Sequence, residues 1–385
     1  MKHVLLISRA LIPSVSLCGH SQLSLLAEQG KIEYQWARSR EVKSARLAWA
    51  EVVIFVRADR ETDVLAAEAA RRAGKYLVYV LDDDLLHVPE CISSAEFYHR
   101  SETRESIRRV MSLCDCLLSP SDRLLEKYGG DFPRCGRIEE PAQKVQPSEK
   151  KQHRAVRIGF AGSIDRAGDI DALLTGALRR ILKENPGTVT AEFFGARPAL
   201  VDEFVLRHIP YCDNYEDYLR TMDSLDWDIG LAPLPETEFH ACKHYNKYIE
   251  YAAHGIAGVY SDGSVYPRAV RHGENGLLTA NTEEGWYETI LRLVRDGALR
   301  RTIAAEAKRE AESLYSLETV AEQWERHLED FNARAGEPEK LRRFDRDRRR
   351  ALLRRRWQRM KHYGWKTPFV LLKKLWDKLA GHRRG

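Results

Sequence analysis

The fold is decided by two neighbouring stretches, DIGLAPL at residues 228–234 and CKHYNKYIEYAAHGIA at residues 242–257. A further apolar run at 259–261 and the turn sequence NGLL at 275–278 follow them. This order predicts a strand, a loop, a helix, a second strand and a turn, which is the repeating unit of a parallel sheet. A helix that follows the carboxyl end of such a strand lies where open parallel sheets bind ligands.

The second stretch carries two lysines and a glutamate at helical spacing. In a helix that begins near Lys243, Lys247 lies four residues further on and Glu250 three beyond that, so the three side chains share one face. Two ammonium groups and a helix N-terminus favour a diphosphate, whereas a carboxylate suits adjacent ribose hydroxyls. The sequence therefore predicts a site for a nucleotide-diphosphate sugar. Without the flanking strands, the same spacing would indicate only a solvated helix face.

The rest of the chain repeats the alternation of apolar runs with helical patterns. The runs lie at residues 4–8, 52–56, 76–81 and 116–119, and then at 157–163, 189–194, 228–234, 258–261 and 276–279. Two such cycles predict an α/β protein with two doubly wound parallel-sheet domains. We expect a first domain at 1–138, a linker rich in Pro, Lys, Gln and Glu at 139–153, a second domain at 154–331 and a basic tail at 332–385.

Residues 242–257, Tyr266 and GENGLL at 273–278 resemble the donor-binding region of GT-B glycosyltransferases, especially glycosyltransferase family 4. The resemblance implies two Rossmann-like domains that face a cleft, with the nucleotide sugar held by the second. In that family a Glu-x7-Glu pair frames the helix, and its second Glu, matched by Glu250, usually holds the donor ribose. The first Glu falls on Cys242, which departs from the pattern. A subset of bacterial polysaccharide glycosyltransferases is similar here, with a Lys-Ser or related pair at the place of Lys243-His244.

The resemblance also implies a diphosphate loop after the first strand of the second domain. The family usually carries an Arg and then a Lys there, and its Gly-Arg start is replaced by Gly162-Ser163 in this chain. Arg166 is expected to act as one cation and Ser163 as a hydroxyl donor, with the two lysines of the helix compensating for the missing cation. Tyr211 lies where GT-B chains often contact the nucleotide base, so it is a further donor-site candidate.

In the first domain, Asp82-Asp83-Asp84 follows the apolar run at 76–81, at an edge of the sheet where ligands bind. Alternation along an extended segment would place Asp82 and Asp84 on one side and Asp83 on the other. One aspartate could be a general base with its pKa raised by the neighbouring carboxylates. The other readings are an Asp-x-Asp metal site, as in GT-A enzymes, and acceptor hydrogen bonding or loop capping. We take Asp82 and Asp84 as catalytic candidates.

The loop after the first apolar run holds a third catalytic candidate. It contains Gly19, which permits close backbone approach, and His20, an acid or base near neutral pH. The loop resembles the glycine-bearing first loop of GT-B N-terminal domains. An isolated histidine of this kind is also typical of a helix cap or an exposed surface.

Charge is concentrated at the C-terminus. Residues 339–385 hold 18 Lys and Arg against 4 Asp and Glu in a chain whose net charge is +5. A basic tail on an acidic body argues against a nucleic-acid-binding fold. Within it, residues 365–385 have apolar side chains at helical spacing among lysines, which predicts an interfacial helix on an anionic membrane surface. The alternatives are a disordered tail, a helix packed on its own domain and, because residues 342–359 are rich in arginine, an RNA-binding tail.

Seven cysteines show no disulfide-scaffold or zinc spacing, so they indicate reduced thiols in the cytoplasm. No apolar run approaches 18 residues, and the first eight residues predict a strand and not an export signal. We therefore expect a cytoplasmic protein that reaches the inner face of the cell membrane through its tail.

These observations predict a hexosyltransferase that moves a sugar from a nucleotide-diphosphate sugar to a glycan or lipid-linked hydroxyl acceptor, with no metal or other cofactor. Its cations would stabilise the departing diphosphate. The expected context is bacterial cell-surface polysaccharide or glycoconjugate assembly. Cys242 and the incomplete loop at Gly162 leave a catalytically inactive nucleotide-sugar-binding scaffold or partner subunit as the alternative. A GT-B epimerase or phosphorylase is a more distant reading.

Overall fold

The first half of the chain folds around a parallel sheet. The computed structural model describes residues 1–143, 154–212, 214–263 and 265–363. Within these ranges six strands form this sheet in the order β2-β1-β3-β4-β5-β6, and all neighbours run parallel. They are β1 (Lys2–Ser8), β2 (Ile32–Arg38), β3 (Val52–Val56), β4 (Tyr76–Val80), β5 (Cys116–Ser119) and β6 (Arg134–Arg137).

The second half forms another sheet of the same kind. Counted over the described residues, it has six parallel strands in the order β12-β11-β10-β7-β8-β9. The strands are β7 (Val156–Gly162), β8 (Val189–Gly195), β9 (Arg207–Ile209), β10 (Ile229–Ala232), β11 (Ala257–Ser261) and β12 (Leu277–Thr279). The prediction of an α/β protein with two doubly wound parallel sheets is confirmed.

Helices connect the strands of both sheets. Those of the first half are α1 (Pro13–Val15), α2 (Ser21–Glu28), α3 (Ser44–Trp49), α4 (Glu61–Arg72), α5 (Ala95–Tyr98), α6 (Ser101–Leu113) and α7 (Asp122–Tyr128). The later helices are α8 (Ala167–Leu173), α9 (Thr175–Glu184), α10 (Leu200–Glu203), α11 (Tyr215–Ser224), α12 (Glu238–Ala241), α13 (Asn246–Ala253), α14 (Glu283–Arg295), α15 (Gly297–Leu314), α16 (Leu317–Glu329) and α17 (Phe344–Tyr363).

The central strands are buried on both faces, which is why they read as continuous apolar runs. In β3 all five residues are buried. Val53 and Phe55 belong to one apolar core, whereas Val52 and Ile54 belong to the core on the opposite face. Successive side chains of a strand point to opposite faces, so a sheet covered by helices on both sides needs an apolar residue at every position. The carboxyl ends of these strands then emerge at one edge, where the loops can form a site.

Counted over the described residues, the backbone passes between the two halves at two neighbouring places. The first crossing follows β6, and the second joins α15 to α16 at Tyr315 and Ser316. The amide of Ala142 donates a hydrogen bond to the carbonyl of Tyr315 at 2.7 Å, so the two crossings lie side by side. Beyond the second crossing, α16 packs on the first sheet through Trp324 and Leu328. The last helix of the expected 154–331 domain therefore lies against the first half.

The C-terminal segment continues along the first half. Leu341 and Phe344 join the apolar core that covers one face of the first sheet. The interfacial helix predicted at 365–385 lies outside the described residues. In the part of the chain that the structure describes, no helix is long and apolar enough to cross a membrane.

Candidate functional site

A cleft of about 350 Å³ lies between the two halves, at the carboxyl ends of β3 and β4 on one side and of β7 and β10 on the other. Five of the predicted donor-site residues and their neighbours line it. The polar lining side chains include Arg57, Asp83, Ser163, Asp165, Arg166, His240, Lys243 and Lys247, and Gly162 adds backbone. Cations from both halves therefore face the same space.

The helix that carries the donor candidates starts later than the sequence predicted. Thr237 caps α12, and the amide of Cys242 bonds the carbonyl of Glu238, so the chain makes one short helical turn first. Helix α13 begins only at Asn246. The prediction of one helix from Lys243 is thus wrong, because Lys243 lies in the turn that joins α12 to α13. Lys243 and Lys247 nevertheless line the same cleft.

Lys247, Glu250 and Tyr218 form a hydrogen-bonded group at the start of α13. The Nζ of Lys247 lies 2.6 Å from Oε1 of Glu250 and 2.9 Å from the hydroxyl of Tyr218. That hydroxyl donates to the same carboxylate oxygen at 2.8 Å. The ring of Tyr218 stacks on Phe194 with centroids 4.8 Å apart, which fixes it against the core. These hydrogen bonds fix the three side chains beside the cleft. They involve Oε1 of Glu250 and not its Oε2.

An ion-pair chain crosses the cleft. The Nζ of Lys243 lies 2.8 Å from Oδ1 of Asp83, and Arg57 contacts the other oxygen of Asp83 at 3.3 Å. Burial would raise the pKa of Asp83, but Lys243 and Arg57 outweigh it and hold that pKa below its usual range. Arg57 has a left-handed backbone (φ 51°), an uncommon conformation for a non-glycine residue. Asp83 is thus an ionised carboxylate that occupies the position between the cations of both halves.

Neither of the other two aspartates of the cluster is among the residues that line the cleft. Asp82 pairs with Arg57 at 2.9 Å. Asp84 is fully buried and accepts hydrogen bonds from Lys127 at 2.6 Å and Tyr128 at 2.6 Å. The expected alternation, with Asp82 and Asp84 on one side, is wrong because β4 ends at Val80 and the chain then turns.

Burial alone would raise the pKa of Asp84, but hydrogen bonds from Lys127, Tyr128 and His87 hold it below its usual range. The ionised carboxylate of Asp84 accepts these hydrogen bonds within the first domain, so it stabilises the loop that follows β4. In the described residues no group of three His, Cys, Asp or Glu side chains is arranged to hold a metal ion. Asp82 and Asp84 do not converge, so the structure offers no support for the Asp-x-Asp reading.

Cys242 lies in the core of the first domain and not in the cleft. It is fully buried and joins the same apolar core as Phe239 of α12. Burial and the nearby Asp84 raise the pKa of its thiol to about 11, so the thiol is neutral at physiological pH. At the position where family 4 carries its first glutamate, this chain therefore uses a small apolar side chain to dock one half on the other.

His20 lies in a distorted helical turn (Ser16–His20) before α2. Its Nδ1 is 2.8 Å from the hydroxyl of Tyr34 on β2, and burial lowers its pKa. It is not among the residues that line the cleft. The structure thus keeps this candidate apart from the other predicted site residues.

The predicted diphosphate loop reaches the cleft with one cation. Gly162 ends β7, and Ser163 precedes a short helical turn, Ile164–Arg166. Arg166 donates to the carbonyl of Pro233 and pairs with Asp169 at 3.1 Å, which fixes its guanidinium at the cleft wall. Tyr211 is 44% exposed and lies outside the cleft lining, near the end of β8.

His244 joins the donor side to the first crossing between the halves. Its Nε2 lies 3.1 Å from Glu139 and its Nδ1 lies 3.5 Å from Glu140. Burial would lower the pKa of His244, but the two carboxylates outweigh burial and raise it to about 9. The hydroxyl of Tyr245 also bonds Glu139, at 3.1 Å. A charged imidazolium at neutral pH therefore ties the root of α13 to residues of the predicted linker.

Sequence reasoning missed several residues of the cleft. Arg57 directly follows the buried strand β3, and this position at a carboxyl end was the signal that could have found it. His240 lies three residues before Lys243 and bonds Thr237 at 2.8 Å. Burial, Arg166 and Lys243 lower the pKa of His240 to about 4, so it is a neutral imidazole at the cleft. Nothing in the sequence marks Tyr218 as a partner of Glu250.

Solved structures with the same architecture come from several bacteria. HepE of Anabaena, solved with UDP and glucose, covers 86% of this chain and 100% of its own, with 15% identity and a TM-score of 0.57. Sucrose-phosphate synthase of Thermosynechococcus elongatus covers 86% and 98%, with 12% identity and a TM-score of 0.60. A Listeria monocytogenes protein assigned as a UDP-N-acetylglucosamine 2-epimerase covers 86% and 98%, with 12% identity and a TM-score of 0.51.

No known protein-family profile matches the chain, and no curated protein matches it by sequence. At the identities of the solved structures, the likeness shows the fold. The relatives include two-domain glycosyltransferases, and the two six-stranded sheets counted in the described residues correspond to their domains. The chain therefore has the GT-B fold, and the resemblance to GT-B glycosyltransferases first indicated by residues 242–278 is confirmed at that level.

Proposed function

We propose that this protein transfers a sugar from a nucleotide-diphosphate sugar to a hydroxyl acceptor. The observation that carries the proposal is the convergence of Lys243, Lys247 and Arg166 on one cleft, with Glu250 beside them. Cations suit the diphosphate, and the free oxygen of a carboxylate suits a ribose hydroxyl. Both groups sit on the second half, at the carboxyl ends of parallel strands, where nucleotides bind in such folds.

The proposed chemistry places positive charge where the reaction develops negative charge. As the sugar leaves the donor, the diphosphate gains charge, and Lys243, Lys247 and Arg166 would stabilise it. His240, neutral at physiological pH, can accept or donate a hydrogen bond in the same cleft without adding charge. The acceptor hydroxyl would lie on the first half, with Asp83 as the nearest ionised carboxylate. Asp83 thereby replaces Asp82 and Asp84 as the preferred candidate for the proton acceptor.

Structural relatives support the choice of donor. HepE was solved with UDP and with UDP-glucose, and GtfA, the pneumococcal O-GlcNAc transferase, was solved with UDP and GlcNAc. UDP is accordingly the first nucleotide to test. We further propose that no metal is required and that the acceptor is a glycan or a lipid-linked glycan of cell-surface polysaccharide assembly.

Thermal unfolding of the full-length protein with nucleotides tests the donor site. One of UDP, GDP, dTDP, ADP and CMP is expected to raise the unfolding temperature by a few degrees, because a ligand at 100 times its dissociation constant stabilises by about 2.7 kcal/mol. The shift should persist in EDTA. Glu250→Ala should weaken binding by about 1 to 3 kcal/mol if its carboxylate holds the ribose.

The matched control is Glu312→Ala, which removes an exposed carboxylate of α15. It should leave nucleotide binding unchanged. If no nucleotide shifts the unfolding temperature, or if Glu250→Ala binds like the parent protein, the donor site is not where we place it.

A catalytically inactive nucleotide-sugar-binding scaffold remains the second candidate. It is favoured by the burial of Cys242 at the family's first glutamate position and by the pairing of Lys243 with Asp83. Release of nucleoside diphosphate from the bound donor in the presence of extracted membrane glycans separates the two. A scaffold would bind the donor and release none.

Asp83→Asn is expected to strengthen nucleoside diphosphate binding about fivefold, the scale of one partly exposed ion pair. The carboxylate of Asp83 competes with the diphosphate for Lys243 and repels it. If Asp83 also accepts the acceptor proton, the same variant should lose turnover while it binds more tightly. Isothermal titration with UDP and a donor-consumption assay measure the two effects.

Asp122→Asn is the control for this prediction, because Asp122 pairs with Arg268 at 2.7 Å between the halves but outside the cleft lining. If Asp83→Asn and Asp122→Asn change the affinity for UDP equally, the effect comes from weaker contacts between the two halves. That result would rule out competition at Lys243.

A further inference from the structure

The last described helix, α17, is attached to the first domain along one side. Phe344 and Ala351 are buried, and Phe344 joins the core of that domain. Asp345 accepts a hydrogen bond from the hydroxyl of Ser44 at 2.7 Å, and Arg348 donates to the carbonyl of Arg40. The helix is therefore held in a fixed orientation, with a defined inner and outer face.

The outer face of α17 combines large apolar side chains with arginines. Leu353 is 58% exposed and Trp357 is 64% exposed, and the two lie four residues apart on one side of the helix. Helical spacing puts four exposed arginines around them: Arg346, Arg349, Arg350 and Arg356. In the part of the chain that the structure describes, no carboxylate pairs with Arg349, Arg350 or Arg356. This face is strongly positive and offers two apolar side chains at its centre.

Moving the exposed tryptophan and leucine side chains out of water is favourable. The arginines hold counter-ions in solution, and an anionic surface can replace those counter-ions. An anionic bilayer surface satisfies both groups. Its phosphates pair with guanidinium groups, and its interfacial region accepts tryptophan and leucine. The phosphate backbone of a nucleic acid would pair with the arginines, but the backbone itself has no apolar region for the leucine between them.

We propose that the outer face of α17, formed by Arg346, Arg349, Arg350, Leu353, Arg356 and Trp357, docks on an anionic lipid bilayer. The surface is distinct from residues 365–385, and it belongs to a helix whose attachment to the first domain is defined. Docking there turns the first half, where the acceptor is expected, toward the membrane. The proposal stands independently of sugar transfer, since it concerns a surface outside the cleft.

Co-sedimentation of the full-length protein with vesicles tests the docking surface. The protein should bind vesicles of phosphatidylglycerol and phosphatidylcholine and fail to bind phosphatidylcholine alone. Arg349→Gln combined with Arg350→Gln should weaken binding about 25-fold, because each arginine near an anionic surface contributes a factor of about five. Leu353→Ser with Trp357→Ser should also weaken binding, by at least about tenfold.

The matched controls are Arg301→Gln and Leu314→Ser on α15, which change an exposed arginine and a leucine that is 54% exposed. They should bind vesicles like the parent protein. Parental binding by the α17 variants would overturn the proposal and assign any membrane contact to other residues. The proposal would also be overturned if the parent protein binds RNA but no vesicles and the arginine variant no longer binds RNA. That result would assign the face to a nucleic acid.

Quenching by brominated lipids provides a second readout that does not depend on affinity. Tryptophan fluorescence should be quenched when the protein binds brominated anionic vesicles, and Trp357→Phe should reduce the quenched fraction. An unchanged quenched fraction would show that Trp357 does not enter the interface and would contradict the proposal.

Discussion

Replacing Arg57 with methionine is expected to lower the free energy of unfolding by about 3 to 5 kcal/mol, the usual cost of leaving a buried charge without its partner. The Arg57 side chain is 17% exposed and the Asp82 side chain is 10% exposed. Methionine keeps most of the volume of arginine and removes its charge, so the loss would report the ion pairs and not a cavity. Urea unfolding at neutral pH measures it.

Two variants give this prediction its controls. Asp82→Asn in the Arg57→Met background should recover part of the loss, because it removes the uncompensated carboxylate. Arg179→Met breaks a pair with Glu203 at 2.8 Å, in which both side chains are more than a third exposed, and should lower the free energy of unfolding far less than Arg57→Met does. Equal losses for Arg57→Met and Arg179→Met would show that burial of the Arg57 pairs has no energetic consequence.

The stability of the protein is expected to fall between pH 6.5 and about pH 9 because of His244. The pKa of this imidazole is raised to about 9, from an ordinary value of 6.5, by Glu140 and Glu139 against the effect of burial. A group with a raised pKa stabilises fully below its unfolded pKa, and the contribution disappears as pH rises through the folded pKa. The difference corresponds to about 3 kcal/mol.

Because the net charge of the whole protein also changes with pH, the informative quantity is the difference between two proteins. The parent protein should lose more unfolding free energy from pH 6.5 to 9 than His244→Gln does, in urea titrations at each pH. His272→Gln, which alters an exposed histidine, is the matched variant, and its pH slope should be compared with that of His244→Gln. Equal slopes for the parent protein and His244→Gln would mean that the imidazolium is not stabilised at Glu139 and Glu140.

The central strands of both sheets could be predicted because burial on two faces requires continuous apolar residues. β3 and β5 have the predicted bounds, and β4 ends one residue early. The edge strands β2, β6 and β9 were not predicted. Their residues are largely half-buried or exposed and carry polar side chains, so they form through backbone pairing with an inner neighbour. Such pairing leaves little trace in composition.

The site could be predicted only where its residues are neighbours along one helix. The spacing of Lys247 and Glu250 identified a pair that the structure brings together. The contact of Lys243 with Asp83 joins residues 160 positions apart in different halves, and no local pattern encodes it. The start of α13 was misplaced because Thr237 and Cys242 build a separate helical turn first. That turn depends on Phe239 docking on the first domain, which is a tertiary effect.

The hydrogen bond between Ala142 and Tyr315 holds the two backbone crossings side by side. Two adjacent connecting segments permit one half to rotate relative to the other about the line through the segments, and they resist other movements, as in hinge closure of two-domain proteins. His244 and Tyr245 contact Glu139 beside this line, so the root of the donor helix is close to the pivot. Rotation would then leave their contacts intact and change those across the cleft, such as Ser93 with Asp165. The acceptor half would swing, while the donor helix keeps its anchorage.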